Sequence, residues 1–516
     1  MTSRHYDVVV LGRTLGALTS AALLARRGFS VLLLGHGRKP ASYRFEEHTL
    51  RRRAFTLLAG SSPAWRRVLQ ELAQTPRFRR RTTLLDPMFS FVAGSRRIEV
   101  PPDVDLFSRE VDREFPEVRQ VVDELYATIA QVNAVADEAF ERELVVPPGS
   151  LLERLETGRV VSALPLTGEA TTNDLLGKFP VGHPFRDVVT TPALFAAALA
   201  TSAESMPPFA LARLHGAWTR GVQTLGGDED ELADFLLERI ASHGGLCNLD
   251  GRAARVTVRR GRIQGVIVDG DEEPTGATWI LADLSGEQLV DLAGGEGITK
   301  RARRDWPRLS AAAGRYVVSL IVDRRLLPVP LGKESFLTPE HGSRSDPRRL
   351  TLHLQWSPVS EEPQRALLVA EAILPTRGAL TLLEAREAVL AALRETLPFL
   401  DEHRIVVDSP HDGLPVWDYS SGRRREVDRV HVPHSSPGAE PMEWLWTVEP
   451  PGWLKLAGEP VRGPIPGTYL VGSTVLPALG QEGTLLAAWS AVRLVTSEDR
   501  PRQRIRRQMW TKIETG

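Results

Sequence analysis

The sequence predicts a two-domain α/β protein. One domain is a Rossmann-like unit assembled from discontinuous segments, and the other is a mixed sheet with helices. Three stretches predict this. DVVVLGRTLGALTSAALLARRGFSVLLLGHG, from Asp7 to Gly37, reads as strand, tight turn, helix and strand, the order of a dinucleotide-binding βαβ unit. Thr224 to Ala293 reads as an amphipathic helix followed by alternating strands. Tyr469 to Thr496 reads as a short buried strand and a closing helix.

Each element follows from its residues. Tyr6 to Leu11 is a short apolar run rich in β-branched residues, as a buried parallel strand requires. Leu15 to Arg27 is rich in the helix formers Ala and Leu, and Gly28 ends it. Phe29 to Leu34 is the second strand, and Met88 to Val92 predicts another. Asp105 to Glu143 is largely helical, with Val118, Val121, Val122, Leu125 and Ile129 at helical spacing. In the second block Leu232, Phe235, Leu236 and Ile240 share one helix face, behind acidic residues that the helix dipole favours. LCNLDGRAARVTVRRGRIQGVIVDG then alternates as strands about a turn at Arg260 to Arg262, and ATWILADLS is a further buried strand. Arg315 to Val322, Arg349 to Gln355 and Ala366 to Ile373 predict a separate sheet, and Leu383 to Leu397 an amphipathic helix. Ser409 to Pro464, rich in Pro, Gly and Trp, reads as loops. These segments assign residues 1–60, 215–300 and 440–500 to the dinucleotide-binding domain, 61–214 and 301–439 to the second domain, and 501–516 to a basic tail.

Bulk properties exclude several functions. The 516 residues carry a formal net charge of -1, so a nucleic-acid partner is not expected. Cys247 is the only cysteine, which excludes an intramolecular disulfide and a cysteine metal cluster. His183 and His411 have no partner at ligand spacing, so no metal is expected. A strand starts within a few residues of the N-terminus, and no apolar run of about 18 residues occurs, so a cytoplasmic protein is expected. The tail combines arginines with Ile505, Met509 and Trp510 at helical spacing, which fits a frayed end or a peripheral membrane or partner contact. Arg51 to Arg53, Arg79 to Arg81 and Arg423 to Arg425 read as solvated surface.

The first turn departs from the G-x-G-x-x-G pattern. Its first glycine permits the turn, the second lets backbone approach a pyrophosphate, and the third brings helix and strand together. Here these positions hold Gly12, Thr14 and Ala17, with Gly16 beside the last. The second strand ends Leu34-Gly35-His36, without the carboxylate that would accept from ribose hydroxyls.

With GTYLVGSTVLPALGQEGTLLAAWSAVRL at the C-terminus, these blocks resemble the carotenoid (phytoene) desaturase branch of the FAD-dependent amine oxidase superfamily. The resemblance runs over nearly the whole chain and is strongest in the three blocks. It implies an FAD-type domain built from them, a substrate domain from the remainder, and Val256 on a strand near the adenine. The family's Gly-Asp, whose Asp bonds the ribitol, is here Gly472-Ser473. GQEG, Gly480 to Gly483, falls where the family's last helix points at flavin and pyrophosphate. The family's GGR is replaced by GHGRKPASYRFEE.

Losing the ribose acceptor costs about 1.5–3 kcal/mol, and Thr14 adds about 1–3 kcal/mol of crowding. A combined loss of about 4 kcal/mol is roughly thousandfold in affinity. FAD is therefore expected to bind weakly or not at all, through vestigial contacts at Gly12, Thr14, Gly16, Ala17, Gly35, Val256, Gly472, Ser473, Gly480 and Gly483. Gly12, Gly16 and Ala17 are expected to serve packing, whereas Thr14, Gly35 and Ser473 are expected to serve only a ligand. The Rab GDP-dissociation inhibitors, similar in fold, bind a prenylated GTPase in place of FAD. Two functions follow: a non-catalytic descendant that binds a protein partner or an apolar small molecule, and an FAD-dependent oxidoreductase acting on an apolar substrate. His215 reads as a packed histidine or a cavity residue. Trp417, Trp444, Trp446 and Trp453 read as a packed layer or a cavity lining.

Overall fold

The computed structural model describes residues 5–339, 346–359, 362–432 and 438–499. The basic tail, including Ile505, Met509 and Trp510, lies outside the described residues.

The first sheet is built as its sequence requires. Strand β1 (His5–Leu11) turns through Gly12 into helix α1 (Leu15–Arg26), and Val31–Leu34 returns as β2, parallel to β1. Gly28, at φ +83°, reverses the chain between them. The strand Thr275–Ala282 pairs with the other edge of β1, and Thr468–Leu470 pairs with that strand in turn, both in parallel. Leu246–Asn248 lies beyond β2, and the hairpin of Ala253–Arg259 and Arg262–Val268 joins antiparallel at the start of Thr275–Ala282. This is an α/β sheet drawn from three separate parts of the chain. Its central strands, β1, β2 and Thr275–Ala282, are mostly buried apolar runs, and α1 packs against them beside the helices Asp228–Ser242 and Gly480–Glu498.

The second sheet has ten strands and is mixed. Arg308–Asp323 forms its spine, between Glu362–Pro375 on one side and Arg404–Asp408 and Glu443–Glu449 on the other. Leu352–Val359 and Glu334–Thr338 extend it, and Glu334–Thr338 pairs in parallel with Phe89–Ala93. The segment read as loops thus contains three strands, Val416–Asp418, Arg425–Val427 and Glu443–Glu449. Two of these are only three residues long. The third, EWLWTVE, gains its pairing from a distant strand rather than from a nearby turn, so local turn chemistry hides it. The long helical stretch is broken at Phe115-Pro116, giving Val104–Glu114 and Arg119–Glu141, because proline has no N–H to continue the helix.

The final helix, Gly480–Glu498, lies against α1. Contact is close at Gly16, where a Cβ would collide with the Val471 carbonyl and the Thr484 methyl. Gly483 meets the Leu476 carbonyl in the same way. Gly16→Ala should therefore cost about 1–3 kcal/mol through overpacking. Urea unfolding measures this, and an unchanged midpoint would show that the two helices are further apart than described.

Candidate functional site

The C-terminal ends of the parallel strands finish level with one another. Gly12 N–H donates to Leu34 O (2.9 Å), Asp283 N–H to Leu11 O (2.8 Å) and Val471 N–H to Ala282 O (3.0 Å). This edge is where open α/β sheets bind ligands. Gly12 sits at φ +124°, a conformation that favours glycine, and Thr14 forms the N-cap of α1 without a side-chain capping bond.

A cavity of about 620 Å³ begins at this edge and extends to the second sheet. Of the sequence-predicted positions, Gly12, Thr14, Gly35, Ser473 and Gly480 line it. Gly16, Ala17, Gly472 and Gly483 lie behind the lining and serve packing. Val256 is buried in the Ala253–Arg259 strand, opposite Val266, and does not reach the cavity.

Gly35 corrects an expectation. It has a packing role of its own, because a Cβ there would collide with the Leu249 carbonyl. The loop after Leu246–Asn248 is clamped onto the end of β2: Gly35 N–H donates to Asn248 O (3.0 Å), His36 N–H to Gly251 O (2.9 Å) and Ala253 N–H to His36 Nδ1 (3.2 Å). No larger residue fits at position 35 without moving this loop.

Asp283, the residue after the apolar strand Thr275–Ala282, was not singled out from sequence. Its carboxyl lies between two glycines of the rim: a Cβ on Gly12 would stand 2.7 Å from Asp283 Cβ, and one on Gly472 would strike Asp283 Oδ1. The group lines the cavity half-buried, and desolvation pushes its pKa up to about 6 against the opposing pull of Arg38. The signal in the sequence was an acidic residue ending a buried parallel strand, at the edge where ligands bind.

Beside Asp283 stands a cluster of ion pairs. Arg38 reaches Glu443 (2.6 Å) and Glu229 (3.3 Å), and Arg53 reaches Glu229 (2.7 Å). Burial alone would raise Glu229, but Arg53 and Arg38 outweigh it and hold the carboxyl below its usual range. Lys39 and Arg52 both bond Glu440, at 2.8 Å each. Arg51 to Arg53 are thus not solvated surface; Arg52 is 3% exposed. Arg13 is the lining cation without a salt bridge among the described residues.

The far wall is aromatic and comes from the second sheet and nearby helices. Phe195, Trp218, Trp444 and Trp446 line it, with Val317, His353, Glu371 and Arg315. Trp417 instead packs in the second core under Arg386, and Trp453 packs against the first core. His215 is packed away from the cavity, bonded to Tyr126 OH (2.9 Å), with burial lowering its pKa to about 4. His183 bonds Glu117 (3.1 Å). Cys247 is exposed, and its thiol is pushed up to about 11 by partial burial. Among the described residues no group of three His, Cys, Asp or Glu could hold a metal ion, and no helix is long and apolar enough to cross a membrane.

The two sheets and the cavity at the strand ends define an α/β protein with a dinucleotide-type domain and a second sheet domain. The NAD(P)-binding Rossmann-like domain family matches residues 10–72. An oxidoreductase from Methanosarcina mazei superimposes with a TM-score of 0.60 at 14% identity, over 94% of this chain and 99% of its own. Cyclohexylamine oxidase from Brevibacterium oxydans gives 0.53 at 14%, over 96% and 99%. Putrescine oxidase gives 0.53 at 13%, over 96% and 98%. No curated protein sequence matches the chain. The chain thus has the general fold of the FAD-dependent oxidoreductases.

Asp283 generates a pH prediction. Its folded pKa, about 6, exceeds the ordinary value near 4. Below pH ~4 both folded and unfolded states hold the proton, so nothing is lost. Between ~4 and ~6 the unfolded chain releases it first, so stability falls as pH rises, and the full penalty persists above ~6. Asp283→Asn should therefore stabilise the protein by about 1–3 kcal/mol above pH ~6, with the gain shrinking towards zero at pH ~4. Melting curves across that range check it; a gain independent of pH would rule out the carboxyl's titration as its cause.

Proposed function

We propose that the protein is a non-catalytic, ligand-binding descendant of the FAD oxidoreductase fold, in which FAD binds weakly or not at all and the cavity holds an apolar small molecule. The observation that carries this reading is Asp283, set between Gly12 and Gly472 at the edge where a pyrophosphate would approach. A phosphate charge at about 5 Å from the ionised carboxylate would be repelled by about 3 kcal/mol at an effective dielectric constant of about 20. The lining cations Arg38, Lys39, Arg52 and Arg53 are each already paired with a carboxylate of the chain, Glu229, Glu440 or Glu443. Thr14 and Ser473 stand where the family has glycine and aspartate, and Leu249 closes the position of the ribose carboxylate. These residues do not fit the cofactor. The aromatic half of the cavity favours a small apolar molecule over a protein segment.

The alternative, an FAD-dependent oxidoreductase of an apolar substrate, draws support from two observations. The cavity runs unbroken from the Gly12 turn to the aromatic wall, and Arg13 on that turn has no salt bridge among the described residues.

Absorbance near 450 nm separates the two. The purified protein should be colourless, and titrated FAD should bind weakly or not at all. A stoichiometric yellow protein that survives desalting sinks the proposal. Combining Thr14→Gly, Asp283→Asn and Ser473→Asp should raise FAD affinity at least tenfold, because a clash and a repulsion are removed and an acceptor is restored. Gly35→Glu should not help, since the Leu249 carbonyl occupies its space.

A further inference from the structure

The polar groups at the aromatic end of the cavity form a second constellation. Strand pairing sets Phe336, His353, Glu371 and Val317 in one row across four strands, so their side chains share the sheet face turned to the cavity. In the neighbouring row Glu334 faces Gln355. His353 Nε2 lies 2.7 Å from Glu334 Oε2. Glu334 also accepts from Thr56 Oγ1 (3.0 Å) and Gln355 Nε2 (3.0 Å). Two donors, Thr56 and Gln355, already point at this carboxyl, and towards a carboxylate, which can only accept, Nε2 of His353 is the donor.

The ring is also fixed in orientation. It stacks on Phe336 at 4.9 Å and 18°, and its edge contacts are Trp218 at 5.6 Å and Phe195 at 5.8 Å. His353 is 5% exposed and lines the cavity. Its other nitrogen, Nδ1, makes no hydrogen bond among the described residues. With Nε2 protonated, Nδ1 of the neutral ring carries a lone pair and can only accept. The charged neighbours are already satisfied: Arg315 donates to Glu371 and to Ala197 O, both at 2.6 Å. A ligand carboxylate finds no unpaired cation there and meets Glu371 across the row.

We infer that the Glu334–His353 pair is the polar anchor of this cavity, and that it selects an apolar molecule carrying a hydroxyl group. Glu334 holds the imidazole in the tautomer whose Nδ1 accepts, the ligand hydroxyl donates to it, and the aromatic wall takes the hydrocarbon. This rests on the cavity being a small-molecule site, as proposed above.

Matched ten-carbon probes test it in the full chain at a pH of about 8, where an ordinary imidazole is neutral. Decane, 2-decanone and 1-decanol are titrated against intrinsic tryptophan fluorescence. The ketone and the alcohol are both polar, but only the alcohol can donate. 1-Decanol should bind roughly three- to tenfold more tightly than 2-decanone, the worth of one net hydrogen bond. His353→Phe, which keeps an aromatic ring, should abolish that preference while decane still binds. Should this variant fail to fold, the comparison of alcohol with ketone in the unaltered protein still decides. Equal affinity for alcohol and ketone overturns the anchor while leaving the cavity reading intact, provided decane binds. Failure of all three probes overturns both.

Discussion

The arrangement depends on the pairing of arginines after β2 with carboxylates that lie far away in sequence. Arg38 and Arg53 meet Glu229 at the start of the helix Asp228–Ser242, and Arg38 also meets Glu443 on a strand of the second sheet. Asp228 accepts from Arg51 (2.7 Å), and Asp230 takes the backbone N–H groups of Ala41 and Ser42. These contacts join the two sheets and set the width of the space between them. Part-buried pairs of this kind add little net stability relative to well-packed apolar residues, and removing one partner leaves a charge without its match. The cluster therefore works less as glue than as a specification of which segments meet.

Those long-range pairings were the part hidden in the sequence. The acidic run Asp228 to Glu231 reads locally as a complement to a helix dipole, and Arg51 to Arg53 reads locally as solvated surface. Neither reading contains the other, because a salt bridge over more than 170 residues leaves no periodic trace. The elements with strong local signals were legible: β1, α1 and β2, the amphipathic helix with its hairpin, and the last strand and helix all stand where hydrophobic pattern and turn residues put them. The short strands of the second sheet were not, because their stability comes from partners rather than from their own residues.

Within the site the same division holds residue by residue. Thr14 and Ser473 were visible as departures from a family pattern, and both line the cavity. Gly35 was visible as a departure, yet its cause is the Leu249 carbonyl, which only the folded chain reveals. Asp283 ends a strand that the hydrophobic pattern predicts, but glycine spacing carries no signal for the strand beside it. Val256 was placed by resemblance, and in the structure its side chain faces the core.

The two ends of the cavity differ in how their charges and hydrogen bonds are used. At the strand edge, Arg38, Lys39, Arg52 and Arg53 are matched to internal carboxylates, and a further carboxyl, Asp283, faces the space. A site shaped around a doubly charged pyrophosphate would leave several cations free there, because their neutralisation is the binding energy; here Arg13 is the lining cation without a salt bridge among the described residues. At the aromatic end the charges are also matched, yet Nδ1 of a rigidly held imidazole makes no hydrogen bond among the described residues. Buried hydrogen-bonding capacity is costly to leave unused, and it persists where a ligand or water supplies the partner. Most lining cations near the glycine turn are thus paired within the chain, and an accepting nitrogen stands at the other end, near Trp218 and Phe336. That asymmetry is the physical basis on which the proposal of a molecule held by its hydrocarbon body and oriented by one neutral donor rests.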